Sequence, residues 1–147
     1  MVRVPWVFGN GSWFKAFYLD VMKTKKIIYS YSQENFKMML IDVEDCAASL
    51  IRIASLKHAG VLNVCMPEVI CYDDFISILS DTSDVSTTYQ FSDVDLKKRF
   101  EHAIYEAFTE EILLSTKYPK YQLQKHFRYM DPKTMIRERL ASFLENE

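Results

Sequence analysis

The sequence holds three glycines, four prolines and three cysteines in 147 residues. So few glycines and prolines exclude long flexible linkers. Cys46, Cys65 and Cys71 are odd in number and lack Cys-x-x-Cys spacing, so neither a disulfide framework nor a thiolate zinc site is expected. With no signal-peptide pattern after Met1, this cysteine usage fits a reducing, cytoplasmic compartment. His58, His102 and His126 lie far apart, which disfavours a histidine metal site. No Gly-x-Ser-x-Gly elbow is present for a serine nucleophile. No apolar run reaches the ~18 residues of a membrane span, and residues 2–8 are too few for a secretory core. The net charge of −2 is too small to imply a charged partner.

Charge is nevertheless uneven. From His58 to Leu96 there is no Lys or Arg, while Glu68, Asp73, Asp74, Asp81, Asp84, Asp93 and Asp95 occur. Residues 117–139 reverse this, with Lys117, Lys120, Lys125, Arg128, Lys133, Arg137 and Arg139 among Tyr118, Tyr121, Phe127 and Tyr129. Such a stretch suits phosphates or single-stranded nucleic acid, but a solvated helical face is the commoner source of this pattern, so nucleic acid is not the expected partner.

What is abundant is apolar: 49% of residues are hydrophobic and 14% aromatic, enough for one domain with a real core. Val2 to Phe8 reads as a strand, weakened by Pro5, that enters a turn at Gly9-Asn10-Gly11. Ser12 caps a helix carrying Phe14, Phe17, Tyr18, Val21 and Met22. Lys26–Tyr31 and Lys37–Ile41 read as strands around a polar turn at residues 32–35. Asp42, Glu44 and Asp45 mark a helix start, with Asp45 as its cap and Ala47, Leu50, Ile51 and Ala54 as its apolar face; Gly60 supplies the stop. A capping role for Glu44 and Asp45 outweighs acid/base chemistry at that position.

Val61–Cys65 reads as a short buried strand, Phe75 to Leu79 as a helix, and Thr88–Phe91 as a further strand. A capping box at Ser92 to Asp95 opens a long helix, residues 93–116, with Leu96, Phe100, Ala103, Ile104, Ala107 and Phe108 on one face. Asp131-Pro132 starts the last helix, whose apolar residues are Ile136, Leu140, Phe143 and Leu144. Trp6 and Trp13 are read as packing residues, with stacking on a base or sugar as the alternative. The pattern is mixed α/β in residues 1–91, with a helical extension of the same domain over 92–147.

Three segments, in order, resemble the extended short-chain dehydrogenase/reductase family of NAD-dependent epimerases and dehydratases. Arg3-Val-Pro-Trp-Val-Phe8-Gly9-Asn10-Gly11 is similar to the family's Arg-x-x-x-Val-Tyr-Gly-Pro-Gly strand and turn. Ile41-Asp-Val43-Glu-Asp45-Cys-Ala47 resembles its Val-His-Val-x-Asp-Val-Ala helix start, and Gly60-Val-Leu-Asn63-Val64 its Gly-x-Tyr-Asn-Val strand. The resemblance covers residues 1–80 best. It implies an α/β fold, namely the C-terminal, substrate-side part of a Rossmann-like enzyme acting on nucleotide sugars. It further implies that Phe8, Gly9, Asn10 and Gly11 form a substrate pocket. Lys37 is the candidate phosphate contact, because the family's phosphate-clamping Arg falls on Met38 here.

The departures are equally definite. Glycines at 9, 11 and 60 cannot make the Gly-x-x-Gly-x-x-Gly loop that lets backbone amides approach a pyrophosphate. The family's Tyr-x-x-x-Lys pair should precede Arg3; Tyr121 and Lys125 match its spacing but stand far too late in the order. The expectation is therefore a chain that binds no cofactor and catalyses nothing alone, NAD or NADP belonging to a complete family member. Its expected partner is a cofactor-binding N-terminal half or a second copy. A non-catalytic, self-associating or regulatory remnant and a phosphate- or nucleic-acid-binding module through 117–139 remain the alternatives.

Overall fold

The computed structural model describes residues 1–31, 35–56, 60–115 and 123–145. Strand β1 (Val2–Arg3) is followed by β2 (Trp6–Phe8), a π-helical turn (Lys15–Leu19) and α1 (Asp20–Lys25). Next come β3 (Ile28–Ser30), β4 (Lys37–Asp42), α2 (Val43–Ser55), β5 (Leu62–Asn63), β6 (Val69–Cys71) and α3 (Tyr72–Ser83). The chain closes with β7 (Thr88–Gln90), α4 (Asp93–Arg99), α5 (His102–Thr109), a 3-10 turn (Leu123–His126) and α6 (Pro132–Glu145).

The expected first strand divides at Val4-Pro5, where the ring removes a ladder donor. Its two parts join different sheets: β1 pairs in parallel with β5, and β2 in parallel with β4. β4 also pairs antiparallel with β6, and β3 and β7 form a parallel pair. One hydrophobic cluster draws on both halves of the chain, from Phe8, Phe14 and Tyr18 to Met135, Ile136 and Leu140, with α6 packed on α3. A smaller one, Ile41, Cys46, Val64 and Leu123, lies beneath α2.

Two helix expectations are corrected. The long helix over 93–116 is two helices, followed by residues 111–115, which are in neither helix nor strand. Phe100 leaves helical geometry (φ −118°, ψ 146°), and its ring packs on Phe17, Tyr31 and Phe108. Burial of that ring outweighs helical propensity, so the run of apolar residues does not stay on one helix. Ala103 and Ile104, expected on the buried face, are exposed.

α2 is turned the other way from its pattern. Asp45, Cys46 and Ser49 face the protein, while Val43, Leu50 and Ile51 are 42%, 42% and 75% exposed. Ala47 and Ala54 lie with them on the outer side. Asp42, not Asp45, caps this helix, accepting from the amides of Glu44 and Asp45. Two other caps follow the sequence: Ser92 accepts from Asp95 N, and Asp131 accepts from Lys133 N and Thr134 N; the stop expected at Gly60 does not, since α2 ends at Ser55 with Leu56 as its C-cap. Asp95, too short to reach back to the Ser92 backbone, takes the Ser92 hydroxyl at 2.6 Å. Lys117, Lys120, Tyr118, Tyr121, His58 and most of the polar turn at 32–35 lie outside the described residues.

Candidate functional site

The turn after β2 is built on contact rather than on flexibility. A Cβ at Gly9 would lie 2.7 Å from Val43 Cγ1 and 2.9 Å from Val43 Cβ, so only glycine lets the turn sit on the start of α2. Gly11 holds φ +138°, which side-chain-bearing residues rarely adopt. Ser12 closes the turn: its N–H and its hydroxyl both donate to Gly9 O, at 3.2 and 2.8 Å, and its Oγ accepts from Phe14 N. Asn10 is exposed at the tip, while Phe8 is wholly buried against Phe14 and Phe143 beneath it. Phe8 therefore shapes the turn from below and offers no surface to a ligand.

Lys37 is not brought to this turn. Phe8 is in register with Asp42, and Lys37 stands at the other end of β4, opposite Cys71. That separates Lys37 from the turn by about 16 Å of strand at ~3.3 Å per residue. Its side chain is exposed, and its backbone N–H donates to Glu111 Oε1 at 2.7 Å.

Beside the turn runs a groove of about 350 Å³, lined by Pro5, Trp6, Val7 and Trp13 from the start of the chain and by Ala107 and Ile112 from much later in it. The two indoles meet edge to face, centroids 4.7 Å apart and planes at 71°. Trp13 Nε1–H donates to Val7 O at 2.8 Å, filling an acceptor on strand β2, which lies at the edge of its three-stranded sheet. Stretches far apart in sequence meet here; their spacing carried no signal of the groove.

The two carboxylates considered for acid/base chemistry are committed elsewhere. Arg139 donates through Nε and Nη2 to the two oxygens of fully buried Asp42, each at 2.7 Å, and its Nη2 lies 2.7 Å from Glu44 Oε2. Its guanidinium also lies over the Tyr129 ring, at 5.5 Å. The hydrogen bond from Arg139 holds the Glu44 carboxyl below its ordinary range, while Asp42 and Glu44 push the guanidinium upward. Asp45 accepts from Arg128 N at 2.8 Å and Tyr129 N at 3.2 Å, tying α2 to the segment before α6. Three of the five described cations in the basic stretch are paired, Arg128 with Glu44, Lys133 with Asp74, and Arg139 with Asp42 and Glu44, while Lys125 and Arg137 are exposed. Paired cations make a poor backbone-binding surface.

The buried phenols are not poised for proton transfer at neutral pH. Tyr18 and Tyr72 share a 2.7 Å hydrogen bond, and Tyr31 N–H donates to the Tyr72 oxygen. Burial first, then the neighbouring Tyr72, pushes Tyr18 well up; burial does the same to Tyr31. Among the described residues, no three His, Cys, Asp or Glu side chains converge as metal ligands, and no helix is long and apolar enough to cross a membrane.

No family model and no curated protein matches the sequence. Solved structures do. An NAD-dependent NDP-hexosamine 5,6-dehydratase, TunA, involved in tunicamycin biosynthesis, superposes with TM-score 0.74 at 16% identity, covering 99% of this chain and 45% of that one. The human epimerase family protein SDR39U1 (isoform 2), solved with NADPH, gives TM-score 0.74 at 14% identity over 99% of this chain and 48% of that one. The UDP-N-acetylglucosamine 4-epimerase of Methanobrevibacter ruminantium M1, solved with UDP-N-acetylmuramic acid, gives 0.67 at 15% identity over 99% and 46%. This chain has the fold of the C-terminal part of Rossmann-like epimerase/dehydratase structures. It spans about half the length of the chains it matches.

Proposed function

We propose that this chain is the substrate-side portion of an NAD(P)-dependent sugar-nucleotide epimerase- or dehydratase-like assembly, acting with a cofactor-binding α/β half. The observation that carries the reading is the match of nearly the whole chain to one half of enzymes whose names state NAD and nucleotide-sugar chemistry. In this reading NAD or NADP belongs to the other half. The turn Gly9-Asn10-Gly11 borders the substrate, with Phe8 supporting it. Lys37 reaches a phosphate only of a ligand extended along β4. The outward stripe of α2, Val43, Leu50 and Ile51, is the surface the other half covers, since an amphipathic helix is stabilised by burying such a face. The free cysteines support a cytoplasmic location.

Thermal melting with UDP-glucose, UDP-N-acetylglucosamine, NAD and NADP tests this. A true site at ~100 times the dissociation constant adds about 2.7 kcal/mol of apparent stability. The sugar nucleotides are expected to raise the melting temperature of the chain alone, and NAD and NADP to leave it unchanged. Indifference to every sugar nucleotide overturns the substrate assignment. A shift with NAD overturns the division of labour.

The competing reading is a non-catalytic, self-associating or regulatory chain. The exposed α2 stripe favours it over a nucleic-acid module, because it offers apolar surface where nucleic acid requires unpaired cations.

A further inference from the structure

We infer that the recess between α2 and the 3-10 turn is a binding site for a small monocarboxylate with a short branched hydrocarbon tail. The recess holds about 220 Å³ and is lined by Asp45, Ser49, Ile51 and Arg52 of α2 and by Leu123 and His126 of the turn. Positions 45, 49 and 52 lie one above the other along one face of a helix. Leu123 and His126, three residues apart, share one side of their 3-10 turn. The turn is fixed in place: Gln124 donates to Cys65 O, and the amides of Arg128 and Tyr129 just beyond it hold Asp45. Drug-sized ligands occupy sites of ~300 Å³ and more, so the guest here is smaller.

Ser49 is the residue that points to a ligand. It is 5% exposed and lines the recess, yet its hydroxyl has no hydrogen-bond partner among the described residues. A buried hydroxyl left unpaired is destabilising, and an oxygen of a guest would satisfy it. Arg52 is exposed and has no ion-pair partner among the described residues. Its planar fork matches a carboxylate and repels a cation. The Asp45 carboxylate, whose oxygens already accept from two amides, stays in the wall and opposes a second strong negative charge. A phosphate dianion would bring two charges to one permanent cation, whereas a monocarboxylate brings one. Ala48, Ile51 and Leu123 supply the apolar part of the wall. A branched tail laid on them leaves water together with Ile51, which is 75% exposed without it. The recess uses no residue of the turn after β2 and is independent of the proposed function.

Isothermal titration of the full chain at neutral pH, at a concentration where it sediments as a monomer, tests this with isocaproate as the probe. Isocaproamide, acetate and inorganic phosphate are the controls. Isocaproate is expected to bind saturably, and each control more weakly. Arg52→Gln removes the charge at an exposed residue, so it should fold as the parent does and weaken isocaproate by about tenfold, the loss of one charge-assisted contact. Ser49→Ala removes a hydroxyl that bonds nothing described in the chain, so it should weaken binding several-fold without lowering the melting temperature. Absence of saturable isocaproate binding overturns the site, as does binding that Arg52→Gln leaves unchanged. Equal binding of isocaproamide overturns recognition of the charge. Equal binding of acetate removes the apolar wall from the site. Phosphate bound more tightly than isocaproate overturns the carboxylate class.

Discussion

Arg139 holds Asp42 from 97 residues away, with two 2.7 Å hydrogen bonds to a carboxylate that has no exposed surface. This pair joins α6 to the start of α2 while Asp42 also caps that helix. Arg139→Ala leaves a buried charge with its helix amides alone and is expected to cost about 3–5 kcal/mol. Arg139→Lys, a point charge without the planar fork, should fall between the variant and the parent. Urea denaturation followed by circular dichroism measures both. A loss below ~1 kcal/mol for the alanine variant, the level of a surface pair, would refute the buried-pair account.

The same arginine gives the acid limb of stability a direction. Its hydrogen bond lowers the Glu44 carboxyl from an ordinary 4.5. A depressed carboxyl contributes stability above its unfolded pKa, lost as pH falls through the folded value. Melting temperature should therefore fall on acidification, and the gap between parent and Arg139→Ala should narrow. A gap that widens in acid contradicts the assignment.

Asp45 is structural in a way that reverses the usual mildness of an asparagine substitution. Each of its oxygens accepts from a different amide, those of Arg128 and Tyr129. Asparagine keeps one acceptor and turns an NH2 toward the other amide, so Asp45→Asn should cost about 1–3 kcal/mol, close to Asp45→Ala. Were Asp45 the cap of its own helix, asparagine would be nearly neutral. Equilibrium unfolding of the two variants separates these outcomes.

Much of this was legible in the sequence, and the larger misses share one cause. The β2 turn, the α3 helix, β7 and the Asp131 cap follow from local chemistry, and local chemistry placed them. The orientation of α2 did not follow, because its outward apolar stripe looks like an inward one until the partner surface is known. The break at Phe100 depends on a ring finding Phe17 and Tyr31, far back in the chain. Arg139 with Asp42, and Trp6 beside Ile112, are meetings of distant residues that no periodicity records.

Gly9→Ala tests the seating of the turn on α2. The added methyl meets Val43 Cγ1 at 2.7 Å and Cβ at 2.9 Å, and overpacking of this kind costs about 1–3 kcal/mol. Val43→Ala removes the first contact but not the second, so the double variant should recover part of the loss. Full additivity of the two substitutions, measured as a double-mutant cycle, would show that the residues do not clash.

Cys65 sets part of the alkaline limb. Burial pushes its thiol up from 9.0 to about 11. A raised thiol contributes stability below its unfolded value, lost as pH rises through the folded one, so the chain should weaken from pH 9.0 toward 11. Cys65→Ala should flatten the onset only, since the raised Tyr18 and Tyr31 phenols act on the same side. In thiol labelling at neutral pH, half-buried Cys71 should react first, with Cys46 and Cys65 waiting for unfolding.

Studied alone, the chain is expected to self-associate, and through α2 rather than through its first strands. The edge of β2 is a poor template: Pro5 has no N–H to give, and Trp13 already occupies Val7 O. α2 instead presents Val43, Leu50 and Ile51 to solvent, with Ala47 and Ala54 between them allowing close approach of another helix. Where a cofactor-binding half covers that stripe the association should vanish; without one, a second copy is the apolar surface at hand. Sedimentation equilibrium over a wide concentration range should show mass rising with concentration. Ile51→Lys, at a residue 75% exposed, should abolish the rise while leaving the melting temperature nearly unchanged, because most of the side chain already lies in solvent. Trp6→Ala should not abolish it if the strand edge is uninvolved. A parent chain that stays monomeric at every concentration refutes the stripe as an association surface. Association that survives Ile51→Lys but not Trp6→Ala moves it to the groove beside β2.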